Sequence, residues 1–185
     1  MPSLLKISCS QEYETTGTSD VSKGASTLLR QHMEDRWSEE NEICQEDRQI
    51  IKEHIVPSMT LCTDLTIIQN LEDCMYVIAQ EDYPQNWPDV LTQIGEKMQC
   101  EDSQVLYPTL CALRAIIRKY QSKLGVERKP LIDFTVYAFE ILENQFEKHL
   151  QIFNDTSILI MTVLTKIFFL ANYVVLSFSF INFIL

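Results

Sequence analysis

The sequence predicts an all-α protein built as a stack of antiparallel helix pairs, and three observations carry that expectation. Only 4 glycines and 6 prolines occur in 185 residues, too few for the frequent tight turns of a sandwich or barrel. Apolar residues recur at spacings of three and four along most of the chain, the period of a helix with one buried face. Helix starts near Gln45, Trp87 and Lys129 stand about forty residues apart, and each opens a helix–turn–helix unit. One such pair cannot bury its apolar face alone, so neighbours must stack.

Residues 1–25 are polar, rich in Ser, Thr, Gly and Glu, and lack sustained periodicity, which predicts a disordered leader. A short helix from Ser26 to Trp37 presents Leu28, Leu29, Met33 and Trp37, and Asp35 to Glu42 reads as an acidic loop. The next helix runs from about Gln45 to Met59, with Ile51, Ile55 and Met59 on one stripe. Glu46 and Asp47 suit its first turn, where carboxylates meet the positive end of the helix dipole. Pro57 bends or ends it. The partner helix covers Asp64 to about Gln80 behind a Thr63 cap, burying Ile67, Ile68, Leu71, Cys74, Met75 and Ile78.

Glu81-Asp82-Tyr83-Pro84-Gln85-Asn86-Trp87-Pro88 separates this pair from the next. Pro84 stops one helix, Asn86 caps the following one, and Pro88 fits its first turn, where the missing N–H does no harm. A third helix is expected over Trp87 to Gln99. A fourth, capped by Asp102 or Ser103, runs to about Gln121 with Leu106, Leu110, Leu113, Ile117 and Tyr120 on its face, and Pro108 kinks it or delays its start. After a turn at Gly125, a longer helix spans Lys129 or Pro130 to Gln151, with Leu131, Phe134, Ala138, Leu142 and Phe146 as its stripe. The last helix begins near Asp155 and is apolar almost all round. The forty-residue interval is that of HEAT and armadillo arrays, so the expected architecture is a right-handed α-solenoid of HEAT-type pairs.

The net charge of -11 argues against nucleic acid as a direct ligand, because such a chain repels phosphate, and favours a basic protein partner. Between Glu53 and Glu96 no Lys or Arg occurs. Glu53, Asp64, Glu72, Asp73, Glu81, Asp82, Asp89 and Glu96 there form either a solvated face or a partner-facing patch. The basic group Arg114, Arg118, Lys119, Lys123, Arg128 and Lys129 either neutralises neighbouring acidic helices or contacts a partner. None of the six cysteines (Cys9, Cys44, Cys62, Cys74, Cys100, Cys111) stands three residues from another, so no zinc knuckle or thioredoxin-type motif exists. Met1 to Asp20 lacks the apolar core of a signal peptide, and a reducing intracellular compartment is expected. His32, His54 and His149 are far apart, and no phosphate loop, H-E-x-x-H or G-x-S-x-G appears, so neither an enzyme nor a cofactor is expected.

Three stretches point to a family. Trp37 closes the first short helix, Glu46-Asp47-Arg48-Gln49-Ile50-Ile51-Lys52 opens the second repeat, and Tyr83-Pro84-Gln85-Asn86-Trp87 forms the next junction. Over about 26–173 the chain resembles the N-terminal region of importin-β (karyopherin-β) nuclear transport receptors, most of all the importin-seven and importin-eight branch. The resemblance divides the chain into a leader (1–25), a first-repeat remnant with its acidic loop (26–43), repeats at 44–82, 83–125 and 126–173, and an apolar tail unlike the family (174–185). It implies a curved solenoid whose inner helices, about 64–80, 103–121 and 156–173, bind the GTPase Ran in its GTP form. It also implies basic protein cargo on an acidic concave surface, contacts to nucleoporins, and residence in cytoplasm, nucleus and nuclear envelope. Asp64, Glu72 and Asp73 are the candidate partner contacts, and Tyr83, Pro84, Trp87 and Pro88 the packing residues of the junction. The leader in place of most of the first repeat, and an end after about four repeats, suggest a truncated gene product or splice form.

From Ile167 to Leu185 no charged residue occurs, long enough for a membrane-spanning helix. Two origins fit: a solenoid helix without its covering repeats, or a membrane anchor. Two alternatives therefore stand beside the transport receptor: a helical protein anchored in a membrane through residues 167–185, and a HEAT-type scaffold unrelated to transport.

Overall fold

The computed structural model describes residues 1–10, 19–38, 42–152 and 154–184, with backbone alone for 19 and 173–184. Eight α-helices and one 3-10 turn account for most of these residues, and no strand occurs among them. The helices are α1 (Pro2–Ser8), α2 (Ser19–Arg36), α3 (Gln45–Met59), α4 (Leu65–Asp82), α5 (Val90–Lys97), α6 (Ser103–Arg118), α7 (Lys129–Leu150) and α8 (Asp155–Ile184). The even-numbered helices form one layer, α4 on α2, α6 on α4 and α8 on α6, along extended contacts. The odd-numbered helices form the second layer, and α1–α3 and α3–α5 touch over much shorter stretches. Tight packing on one side and loose packing on the other is what bends a stack of pairs toward its tight layer. The all-α solenoid read from spacing is the fold observed.

Most boundaries follow from local chemistry. Asp64 caps α4 by accepting hydrogen bonds from Thr66 N at 2.8 Å and Ile67 N at 3.3 Å, so the cap sits one residue beyond the expected Thr63. Asp102 caps α6 through Gln104 N at 2.9 Å, one of the two expected candidates. Both Pro57 and Pro108 lie inside their helices without ending them. At Gly125 the backbone takes φ of 56°, a left-handed turn that favours glycine and redirects the chain into α7. The third expected helix is shorter than its spacing suggests, starting at Val90 behind Asp89. Trp87 and Pro88 thus belong to the junction and not to the first turn.

The start of the chain overturns an expectation. Residues 2–8 are helical and α2 begins at Ser19, seven residues before the expected start, so what is described of the leader is ordered structure. The rest of that leader (11–18) and the centre of the acidic loop (39–41) lie outside the described residues. The physical reason is packing between α1 and α2. Leu5 is buried there with Ala25, Leu29, Met33 and Trp37. Of the buried serines in this region, Ser22 bridges that contact and Ser26 faces Asn70 of α4. Ser8 donates to Leu4 O at 2.7 Å, Ser22 to Ile7 O at 3.2 Å and Ser26 to Lys23 O at 2.9 Å, so each buried hydroxyl is satisfied by backbone. The helix pair α1/α2 stands where a remnant of one helix was expected.

At the other end, α8 runs unbroken in backbone through the stretch set apart as a tail from 174. Its described part buries Ile160, Val163, Leu164 and Ile167, while Ile158, Phe168 and Phe169 stay exposed. The window Asp155–Asn172 has a mean hydropathy of 1.4 and is only 28% buried, so this helix is long and apolar enough to cross a membrane by length and composition.

Candidate partner-binding face

The even-numbered layer is stitched by polar bonds from one helix to the next. Asn70 Nδ2 on α4 donates to Ser26 Oγ at 2.9 Å and Thr27 Oγ1 at 3.2 Å on α2. Asp64 pairs with Lys23 of α2 at 2.9 Å. Burial alone would raise the Asp64 pKa, but Lys23 and the two backbone N–H donors outweigh it and hold the carboxyl below its usual range. Glu72 receives Arg114 of α6 in a two-pronged bond, Nε to Oε1 at 2.6 Å and Nη2 to Oε2 at 2.5 Å. Asp73 meets Arg118 at 3.3 Å, and the same guanidinium stacks over Tyr76 at 4.1 Å from the ring centroid.

These contacts relocate the three candidate partner residues. Glu72 is 1% exposed at its side chain and fully engaged, so it is a strut between α4 and α6 and not a surface contact. Asp64 serves the start of its own helix and its tie to α2. Asp73, about 29% exposed and bonded to Arg118, reaches the surface in part, as does Asp64 at about 25%. Spacing along α4 placed Glu72 and Asp73 off its buried stripe, correctly for a helix in isolation. Nothing in one helix reveals that a second layer-mate carries arginines at the matching height.

The basic group likewise resolves toward internal work. Lys119 donates to the carbonyls of Ala79 at 2.8 Å, Gln80 at 3.1 Å and Tyr83, closing the C-terminus of α4, where a cation also suits the dipole. Burial, with Lys123 nearby, lowers the Lys119 pKa. Arg128 donates to Tyr120 O at 2.6 Å and to the carbonyls of Leu170 and Ala171, tying the 3-10 turn to α8. Lys52 bridges α3 to the junction through Asp82 at 3.2 Å and Asn86 O at 2.9 Å.

In the junction, Tyr83 and Trp87 are each 4% exposed, and Tyr83 meets Tyr120, just beyond the end of α6, edge-to-face at a centroid distance of 6.1 Å. Pro84 follows Tyr83 through a cis peptide bond and is partly buried, while Pro88 is exposed. The aromatic pair packs into the core and the prolines turn the chain.

Between α4, α6 and α8 the layer opens a groove of about 540 Å³ lined by Gln69, Arg114, Arg118, Gln121, Lys166 and Phe169 with Glu72 below. Its lining carries three cationic side chains against one carboxylate, and the carboxylate is already paired. The acidic concave surface expected from the resemblance is therefore not what this part of the layer presents. Exposed carboxylates occur on helices of both layers, at Glu53, Glu96, Glu140, Glu143 and Glu147 on odd-numbered helices and at Asp20, Glu34, Asp35, Glu81 and Asp155 on even-numbered ones. Beyond it, α7 and α8 enclose an apolar groove of about 350 Å³ lined by Phe134, Phe139, Leu142, Phe146, Leu164 and Phe168.

Comparison with known proteins adds a lineage to this geometry. The chain is similar to exportin-2 of Homo sapiens, 29% identical over 168 residues that cover 80% of this chain. It is similar to importin-8 of Homo sapiens, 28% identical over 174 residues covering 91% of this chain, and to exportin-2 of Xenopus laevis, 31% identical over 100 residues covering 51%. The chain spans 17% of the length of the two human relatives. The match to importin-8 leaves 9% of the 185 residues outside it, fewer than the 25 assigned to an unrelated leader. Part of that leader thus has a counterpart in the relative. No family model and no solved structure matches the chain.

Proposed function

From its kinship with the importin-β family of nuclear transport receptors, the importin-8 branch included, we propose that this chain is a receptor segment that grips Ran in its GTP form and protein cargo. The observation that carries the proposal is the extent of the likeness. It covers 80% of the chain in exportin-2 and 91% in importin-8, and the latter leaves too few residues outside to omit any helix pair of the stack. The relatives' names, exportin and importin, make carriage across the nuclear envelope the shared theme, with nucleoporins as further partners and shuttling between cytoplasm and nucleus as the setting. On this reading the chain acts by binding alone and carries out no covalent chemistry.

The geometry refines which surface does what. The even-numbered layer, with its groove between α4, α6 and α8, is the Ran-facing candidate, and Arg118, Gln121 and Lys166 are its reachable polar groups. A basic cargo finds better complementarity on the carboxylates of the odd-numbered helices than in the groove. We also assign the repeats as α3/α4, α5/α6 and α7/α8, close to 44–82, 83–125 and 126–173, preceded by the pair α1/α2.

A pull-down with Ran loaded with GTP or with GDP tests the proposal. Preferential recovery of the GTP form supports it, and equal recovery with both nucleotides, or none, overturns it. The sign of coupling then gives direction. Cargo released by Ran-GTP reads as import, and cargo bound together with Ran-GTP reads as export.

A second reading, a helical protein anchored in a membrane through residues 167–185, draws support from the largely exposed apolar window on α8. Extraction by alkaline carbonate would sink that reading, whereas retention in the bilayer would favour it over the receptor.

A further inference from the structure

The sequence keeps its six cysteines well apart, and the fold brings two of them together. Cys9 is the residue that closes α1, and Cys62 lies in the turn between α3 and α4. Their sulfurs stand 3.1 Å apart across 53 residues of chain. A disulfide holds its sulfurs at about 2.05 Å, so a shift of about an ångström closes the bond. In the reduced state the Cys62 thiol also lies 3.4 Å from Ser58 O, which holds it in the turn.

The two thiols differ in access. Cys9 is partly exposed, whereas Cys62 is 3% exposed. Cys74 and Cys111 are buried in the core, where desolvation pushes both thiols up, that of Cys111 to about 12, so little thiolate forms there. Cys44 is exposed at the start of α3.

We propose that Cys9 and Cys62 form a reversible thiol–disulfide pair, with low-molecular-weight disulfides as the co-reactant. The Cys9 thiolate attacks one sulfur of the small disulfide, giving a mixed disulfide at Cys9 and expelling one small thiolate. Cys62, its proton passed to solvent, then attacks the Cys9 sulfur, closes the Cys9–Cys62 bond and expels the second small thiolate. The protein gives up two electrons and two protons, and the small disulfide leaves as two thiols. In a reducing compartment the pair stays open and closes under oxidative challenge. The bond ties the end of α1 to the turn between α3 and α4. It thereby locks the first helix pair onto the second and restricts the unfolded chain between residues 9 and 62.

The test uses the full chain, reduced and then exposed to excess glutathione disulfide, quenched in acid, alkylated in denaturant and mapped by peptide mass spectrometry. The expected result is one cross-linked peptide joining Cys9 to Cys62, with Cys44 carrying glutathione and Cys74 and Cys111 alkylated only after denaturation. The cross-linked form melts at a higher temperature than the reduced form, and reductant reverses the shift. In Cys62→Ser the mixed disulfide with glutathione persists at Cys9, and in Cys9→Ser the Cys62 thiol stays unreacted in the native protein. Recovery of Cys9 and Cys62 as separate alkylated or glutathione-bearing residues, from a wild-type sample whose Cys44 has reacted, overturns the proposal.

Discussion

Deleting the Glu72 carboxylate strands a guanidinium that α6 holds only 11% exposed at its side chain. A buried charge without its partner is costly, so Glu72→Ala is expected to lose about 3–5 kcal/mol of stability in urea unfolding. The double variant Glu72→Met, Arg114→Met removes both charges and is expected to lose much less, the contrast that identifies a strut. Asp64 offers a pH-dependent counterpart. Its folded pKa lies below the ordinary value, so its contribution is present above that ordinary value and is lost as pH falls through the folded one. Asp64→Ala, which also removes the α4 cap, is expected to cost about 1 kcal/mol at neutral pH. Thermal unfolding followed from pH 7 to pH 2 should show the gap to wild type closing at the acid end. A gap that stays constant with pH would mean that the charge of Asp64 contributes nothing.

At the scale of elements, the junction between α4 and α5 carries the packing of two helix pairs on one aromatic cluster. Trp87 sits in the core although it precedes α5, and Tyr83 reaches Tyr120 in the turn after α6. Trp87→Ala opens a large cavity there and is expected to cost about 3–5 kcal/mol, against a smaller loss for Trp87→Phe, read by chemical unfolding. Pro88→Ala, at an exposed turn position, is expected to change stability little, which separates the aromatic anchors from the prolines that flank them. The likeness between α4 and α6 as carriers of facing charges also explains why the chain has a cation-free stretch from Glu53 to Glu96. Two of the countercharges come from α6, Arg114 and Arg118, and Lys119 just beyond it reaches back to carbonyls at the end of α4.

Over the whole molecule, large exposed apolar side chains gather on the last helix pair, α7 and α8. Phe139, Phe146 and Phe168 stay exposed around the groove between α7 and α8. Apolar patches of this kind recruit hydrophobic dyes and promote association. The chain is therefore expected to enhance the fluorescence of an apolar dye strongly, and Phe139→Glu with Phe168→Glu should cut that enhancement at least in half. Unchanged enhancement would place the sticky surface elsewhere. Charge varies on the same scale, with exposed carboxylates on helices of both layers and a cationic lining in the groove between α4, α6 and α8. The net charge of -11 averages over that difference and does not describe either face.

From Ser26 onward, helix identity, helix order and the forty-residue rhythm were legible in the residues alone, because a helix that buries one face must repeat its apolar side chains every three to four positions. The bounds of α3 and the junction aromatics Tyr83 and Trp87 followed from the same local rules. What local rules cannot express is which polar side chain meets which, since those meetings join residues some forty positions apart on neighbouring helices. Glu72 therefore reads as a surface acid in its own helix although Arg114 lies beside it, and a serine-rich leader reads as formless although α1 packs on α2 with Ser22 bonded across the contact. The pairing of Cys9 with Cys62 has the same origin, a contact made by the turn of the chain and invisible in the spacing of cysteines. Periodicity decided the helices, and the stacking of the layers decided which of their polar residues are left to meet a partner.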